Sequence, residues 1–334
     1  MKRASLETVA KELGLSKTLI SFVLNGKGDE NKISKETQKK VLDKAKELNY
    51  QPNRFAQSLR TGKTNIIALI IPDISNSFFS LIAKTIEDEV SKNGYNLIVC
   101  NTDEDESKES DLIDTLINWN IDGLIVATTM KSARMFDNMK KSGKPFVLID
   151  RVFEDKNFPS VSVENKWGAE LAVKYFVDNN KKNLLMLNIS PSHISPIRER
   201  EEGFLNACKK FKSSISSSQV EEIHFERTEE EVRKIIQKIY LKNISVDAIF
   251  TANNTLAIAV SMCMKALNPK MREEILLCSF DDIPVFEYCV PPISAVSQPV
   301  KRIGREAANI LLQEIISKKP ASESATLPVE LIIR

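Results

Sequence analysis

From Asn65 onward, seven short stretches are apolar without interruption: IIALIIP, YNLIVC, GLIVA, FVLID, LLMLNI, AIFTA and ILLCSF. A strand with one face in water alternates apolar and polar residues, so unbroken runs mark strands covered on both faces. Residues 78–93, 108–119, 165–179, 200–211, 228–242 and 254–267 lie between these runs with the length and periodicity of helices. Strand and helix in alternation leave few solutions, chiefly a parallel sheet with helices on both sides. The runs divide into two α/β lobes, roughly 63–163 and 164–293. Beyond them SAVSQ reads as a further short strand, 301–317 as a helix and 327–333 as a final strand.

Residues 1–50 are patterned differently. Leu6, Val9, Ala10 and Leu13 form one helical apolar stripe, Gly14 interrupts it, and Ser16 is placed to cap a second helix over SKTLISFVLN. In that helix Ile20, Val23 and Leu24 fall on one side, with Lys17, Thr18, Ser21, Phe22 and Asn25 on the other. A third helix is expected from Ser34, its Val41, Leu42, Ala45 and Leu48 closing over the first two. Two short helices joined by a tight turn, the second showing small polar and basic side chains outward, match a helix-turn-helix that reads the major groove. The polar loop NGKGDENKI suits a phosphate backbone.

Charge agrees with a head that meets a polyanion. The chain is nearly balanced at +2, yet residues 1–60 hold 13 Lys or Arg against 7 Asp or Glu, leaving 61–334 at −4. No stretch reaches the roughly 18 uncharged apolar residues of a membrane-spanning helix. MKRASLETVA lacks the apolar centre of a secretory signal, so no membrane association and a cytoplasmic location are expected. Cys100, Cys208, Cys263, Cys278 and Cys289 lack metal-ligand spacing, and His193 and His224 are the only histidines. Reduced thiols, no metal site and no cofactor are expected.

Between head and body, Pro52 ends the third helix, Asn53 can cap a short new one through Leu59 and Arg60, and Gly62 stops it. A helix so brief is unstable alone in water. It needs a second copy or a ligand surface, and Ala56 with Leu59 would suit a paired wedge in a widened minor groove. An ordinary linker is the alternative.

Taken in chain order, LETVAKELGLSKTLISFVLNGKG, ISKETQKKVLDKAKELNYQPN, FAQSLRTGKTNIIALIIPDISNSFF, VCNTDED, IDGLIV, LIDR, the run from Arg198 to Phe204, SFDD and SAVSQPVKRIG resemble the LacI/GalR family of bacterial transcriptional regulators. The resemblance covers nearly the whole chain. It implies a small all-α helix-turn-helix domain over 1–50 and a hinge helix over 51–62. Two Rossmann-like lobes with parallel sheets follow, of the periplasmic-binding-protein type, divided as 63–163 plus 294–325 and 164–293 plus 326–334. By resemblance, Lys17, Thr18 and Phe22 face bases, Ser21 the DNA backbone, and Leu59 enters the minor groove. Leu6, Ser16, Asn25, Tyr50, Asn53, Ala56, Gln57 and Arg60 complete the DNA-facing set. Two positions depart from the family. Phe22 stands where Arg or His is common, which removes a bidentate guanine contact but offers an aromatic edge to a thymine methyl. Gln57 stands where Arg is frequent, weakening the salt-dependent part of binding. An unusual operator is expected, not loss of DNA binding.

In such a body a ligand sits at strand ends. Asp73, Phe78 and Phe79 follow the first strand, Asp150-Arg151 the fourth, and Arg200, Asn253 and Asp281-Asp282 later ones. Carboxylates, Arg and Asn bind vicinal hydroxyls, while an aromatic ring covers an apolar sugar face. The resemblance implies that Arg200 and Asp281 grip the effector, with Asp150 and Asn253 as further polar contacts and Phe78, Phe79 and Phe225 lining the pocket. A sugar or sugar acid suits these groups better than a purine. Read singly, Asp73 and Asp282 could instead cap helices, Phe78 could be a core residue, and Arg200 could pair with an acid on an exposed helix.

Neither GxGxxG, GxxxxGK[ST] nor GxSxG occurs, and neither histidine falls in a triad, so an enzyme is not expected. The expected molecule is a homodimeric repressor on a pseudo-palindromic double-stranded operator, under effector control, with helix 78–92 supplying much of the interface. PVELIIR carries no leucine heptad of the kind that would make a tetramer. A sugar-processing enzyme with an accessory DNA-binding head and a sensor that has lost DNA binding are the alternatives.

Overall fold

The structure, a computed structural model, describes residues 5–50, 63–191, 193–242, 244–317 and 324–334. The chain forms two units, one ending at Thr64 and one starting at Asn65. The expected hinge helix, with Asn53, Ala56, Gln57, Leu59 and Arg60, lies outside the described residues.

The head consists of α1 (Leu6–Leu13), α2 (Lys17–Leu24) and α3 (Lys35–Glu47). Ser5, Ser16 and Ser34 each accept a first-turn backbone N–H at 3.1–3.2 Å, which satisfies amides that have no partner inside the helix. Gly14 ends α1 at φ 63, the left-handed conformation a helix stop needs. Val9, Ala10, Ile20, Val23, Val41 and Ala45 are buried at the centre. Leu42, expected to join them, is 52% exposed; as the immediate neighbour of Val41 it is turned onto another helix face.

In the body, the first lobe runs β1 (Ile66–Ile71), α4 (Ser77–Lys92), β2 (Asn96–Asn101), α5 (Glu106–Asn118), β3 (Gly123–Val126), α6 (Arg134–Lys141), β4 (Phe146–Ile149) and β5 (Ser160–Val163). The second runs α7 (Asn165–Asp178), β6 (Asn183–Ser190), α8 (Ser195–Lys210), β7 (Ser217–His224), α9 (Thr228–Leu241), β8 (Ala248–Thr251), α10 (Asn254–Leu267), α11 (Met271–Glu274), β9 (Leu276–Phe280) and β10 (Ser294–Ser297). Helix α12 (Val300–Ser317) and strands β11 (Ser324–Leu327) and β12 (Glu330–Ile332) complete it. The sheets are ordered β11-β5-β4-β3-β1-β2 and β12-β10-β9-β8-β6-β7. Only β12 runs antiparallel to its neighbour among the described pairs.

The unbroken apolar runs have the expected cause. Along β1, Ile67, Leu69 and Ile71 join the core beneath α4, while Ala68 and Ile70 face a separate cluster with Ile113 and Phe136. Both faces of the strand are covered.

Two boundaries differ from expectation. The strand at SAVSQ, assigned to the first lobe within 294–325, pairs with β9 in the second lobe (Ser294 with Cys278). Ala295 and Val296 are fully buried there. The chain therefore crosses back between Ser297 and Val300, after which α12 packs on α4 and the first sheet. The final strand expected at 327–333 is two strands, β11 on β5 and β12 on β10. Pro328 separates them, having no N–H for a ladder. Among the described residues, no helix is long and apolar enough to cross a membrane.

Candidate functional site

All nine residues expected at the effector line one cavity of about 1100 Å³ between the two lobes of the body: Asp73, Phe78, Phe79, Asp150, Arg151, Arg200, Phe225, Asn253 and Asp281. The topology explains this, because β1, β4, β7, β8 and β9 all end there with their carboxyl termini.

Asp150 directly follows β4. The Arg151 amide donates back to the Ile149 carbonyl at 2.5 Å, so the chain makes a three-residue turn with Asp150 at φ 61. Asp281 follows β9 at φ 68. A left-handed conformation costs a non-glycine residue about 1–2 kcal/mol, so both carboxylates are held by their surroundings and not by local preference. Burial raises the Asp150 carboxyl to about 6, against the pull of Arg200 and Arg151 and with repulsion from Asp281 and Glu104 added. Its Oδ1 is buried without a hydrogen-bond partner among the described residues. Burial also raises Asp281, opposed by Arg200 and by the Gln298 amide that donates to its Oδ1.

Arg200 is 5% exposed, which removes the reading as an ion pair on an exposed helix. Its Nε donates to Asn165 Oδ1 at 2.9 Å and its Nη1 to the Ala252 carbonyl at 2.7 Å. The guanidinium lies 3.6 Å from the Phe280 ring centroid, a close cation–π contact. Helix α8 can bring Arg200 to Asn165 because Gly203 lies against α7. A Cβ at Gly203 would come within 2.5 Å of the Lys166 carbonyl oxygen.

Phe78 and Phe79 open α4, both 6% exposed, with centroids 5.0 Å apart edge to face. Phe225 is half-buried just after β7. Asn253 caps α10, its Oδ1 accepting from the Leu256 amide at 2.9 Å. Asp73 accepts from the Ser75 amide at 2.8 Å in the turn before α4, whose cap is Asn76. Asp282 pairs with Arg334 at 2.9 Å and caps no helix. Sequence reasoning gave no role to Glu104, Asn165 or Gln298. Glu104 receives both terminal nitrogens of Arg151, at 2.7 and 2.5 Å.

The lobes also touch directly. Val152 N–H donates to Ser195 Oγ (2.9 Å), His193 Nε2 meets the Thr129 carbonyl (2.9 Å), Arg198 pairs with Glu154 (2.7 Å), and Asn254 Nδ2 donates to Asn76 Oδ1 (3.2 Å). Each contact depends on the angle between lobes.

In the head, Ser16, Lys17, Thr18 and Asn25 are exposed, and Ser21 and Phe22 are half-buried on the same helix. Lys17 holds Glu7 at 2.7 Å with both side chains exposed, a pair too weak to prevent rearrangement. Asn25 Nδ2 donates to the Ser21 carbonyl at 2.7 Å. Leu6 and Tyr50, expected at DNA, are half-buried and pack against the head core. Gln38 Nε2 pins the preceding loop through the Asp29 carboxylate (2.9 Å) and the Ile33 carbonyl (2.8 Å).

The sequence matches two family models. Residues 5–53 match "Bacterial regulatory proteins, lacI family", and residues 64–334 match "Periplasmic binding proteins and sugar binding domain of LacI family". A ribose operon repressor of Bacillus subtilis (strain 168) is 30% identical over 332 residues, spanning 99% of this chain and 98% of the relative. One from Halalkalibacterium halodurans is 29% identical over 331 residues, spanning 99% and 96%. Among solved structures, a lac repressor dimer bound to operator and the anti-inducer ONPF superposes with a TM-score of 0.84 at 19% identity, covering 100% of this chain and 98% of that one. That last likeness concerns the fold.

Proposed function

The chain belongs to the LacI family of bacterial regulatory proteins, and on that premise we propose that its cleft senses a sugar and thereby sets the affinity of its head for an operator. It is a DNA-binding transcriptional repressor, not an enzyme. The observation that carries the effector reading is the buried constellation of Asp150, Arg200 and Asp281 beside Phe78 and Phe79 in one cavity. Charged donors and acceptors fixed at strand ends bind hydroxyls in directional pairs, and the two rings offer a wall for an apolar sugar face.

The exposed polar face of α2, led by Lys17 and Thr18 with Phe22 beside them, enters the major groove. Two copies of the chain read the two halves of a pseudo-palindromic site. Ile74, Leu81 and Val99 are exposed apolar side chains on and around α4, which supports that helix as part of the homodimer surface. The protein acts in the cytoplasm, where operator DNA lies. Ligand binding works by favouring one lobe angle, because contacts such as Ser195 with Val152 exist only at a given closure.

Thermal-shift screening against pentoses, hexoses, sugar acids and purines, followed by operator titration with the hit present, tests this reading. A sugar should raise the melting temperature and change operator affinity. Arg200→Ala removes a charge-assisted hydrogen-bonding group worth about 1.5–3 kcal/mol, so effector affinity should fall by roughly 10- to 150-fold while operator affinity without ligand is kept. Stabilisation by a purine alone, or full sugar affinity in Arg200→Ala, would refute it.

A further inference from the structure

Two of the guanidinium groups lining the cavity are buried, Arg151 and Arg200, and they are not equally available. Arg151 is 6% exposed and its fork is closed by Glu104, Nη1 and Nη2 donating to the two carboxylate oxygens at 2.7 and 2.5 Å. A buried, two-pronged pair of this kind leaves almost no charge to offer a ligand. Arg200 differs: among the described residues its hydrogen-bond partners are neutral, the Asn165 amide and the Ala252 carbonyl. Beside Arg200 are two buried carboxylates, Asp150 and Asp281, and Asp150 Oδ2 also lies 3.8 Å from Arg151 Nε, a looser pair than the one Glu104 makes. With Glu104, three carboxylates meet two guanidinium groups there, so the inner chamber is short of positive charge by one. The wider lining leans the same way, with seven carboxylates against four guanidinium groups.

We infer that Glu104, by sealing Arg151, makes the cleft select neutral polyhydroxylated ligands and reject their anionic counterparts, the aldonates and sugar phosphates. The inference rests on the sugar-sensing reading and narrows it. A neutral aldose can donate hydroxyl protons to Asp150, whose buried Oδ1 has no donor, and accept from Arg200. An aldonate replaces donors by a carboxylate where two carboxylates already repel. Burial disfavours the charged form of Asp150 first; Arg200 and Arg151 pull against it, and Asp281 and Glu104 add a smaller repulsion that a further anion would join. Glu104 is also held at φ 60, a conformation glutamate rarely adopts, so its position is imposed by the fold around it.

The test is calorimetry on the full-length protein at pH 7.5 with matched pairs: D-ribose and D-ribonate, D-xylose and D-xylonate, D-glucose and D-gluconate. Whichever aldose binds should do so at least about tenfold more tightly than its aldonate, the discrimination expected when a buried site meets an unpaired like charge. Glu104→Gln keeps the side-chain shape but releases the charge of Arg151, so the aldose-to-aldonate ratio should fall by about tenfold or invert. The double variant Glu104→Gln with Arg151→Met has no freed cation and should retain the neutral preference. It also serves if the single variant folds poorly.

A wild-type preference for the aldonate overturns the inference while leaving a sugar sensor in place. So does a ratio unmoved by Glu104→Gln, or one lost in the double variant. Absence of saturable binding by any aldose or aldonate instead overturns the sugar-sensing reading, and the inference falls with it.

Discussion

Asp150 shows what a binding residue costs before any ligand arrives. Its carboxyl rises from 3.8 to about 6 on folding, first through burial. The folded state thus holds the proton more tightly than the unfolded chain does. The penalty is fully present above pH 6, shrinks as pH falls through that value, and vanishes below about 3.8. At about 1.4 kcal/mol per pH unit of difference, the ionised group destabilises the body by about 3 kcal/mol. Asp150→Asn should accordingly stabilise the ligand-free protein by about 1–3 kcal/mol at pH 7.5, with the gain fading as the pH is lowered towards 4.5. Melting curves across that range check it, and a lower melting point at pH 7.5 would mean that Arg200 and Arg151 outweigh the burial. The same variant should bind effector more weakly, the trade expected when a strained, charged residue is kept for function. For wild type, affinity that depends on an ionised Asp150 should decline as pH drops through 6.

At the scale of elements, the placement of Arg200 depends on how closely α8 approaches α7. Gly203→Ala puts a methyl within 2.5 Å of the Lys166 carbonyl oxygen, and that backbone atom cannot rotate away. The helices must separate, so stability should drop by about 1–3 kcal/mol and Arg200 should lose its bond to Asn165. Denaturant unfolding and effector calorimetry read the two effects together, with exposed Lys209→Ala on the same helix as the control. Unchanged values for both would show that the helix pair relaxes without cost. This dependence also marks how far the sequence could be read. Asp150 and Asp281 were legible because each ends an apolar run, and Arg200 because it sits in a recognisable motif. Their left-handed backbones were not, since aspartate states no such preference. Glu104 lies in the quoted VCNTDED run, yet its pairing with Arg151 spans 47 residues and is made by topology alone. Strands β5 and β7 were missed for a compositional reason. SVSV is short and half polar, and SSQVEEIH is a sheet edge with exposed side chains. The lobe of β10 was misassigned because a buried strand reads alike in either sheet; only its register with Cys278–Phe280 places it.

For the molecule as a whole, the chain passes between lobes at 163–165, 297–300 and 327–330, so a change of lobe angle acts on three covalent connections at once. The head is a separate compact unit with its own core. Effector and operator therefore act on different cores, and a substitution can weaken one interaction while sparing the other. Leu59, assigned by family resemblance to the minor groove, lies outside the described residues and is the position at which DNA binding can be tested apart from effector binding. An apolar wedge offsets the few kcal/mol of base unstacking it causes by letting the bent duplex meet more protein. Leu59→Ala removes the wedge, so affinity for a selected operator should fall at least about tenfold, while non-specific binding at low salt, set by phosphate contacts, should change little. Effector affinity measured by calorimetry should stay within about twofold. If specific and non-specific DNA affinities fell together, Leu59 would be supporting the fold or the dimer rather than reading the groove. If operator affinity held, the minor-groove assignment would be wrong, and specificity would rest on α2 alone.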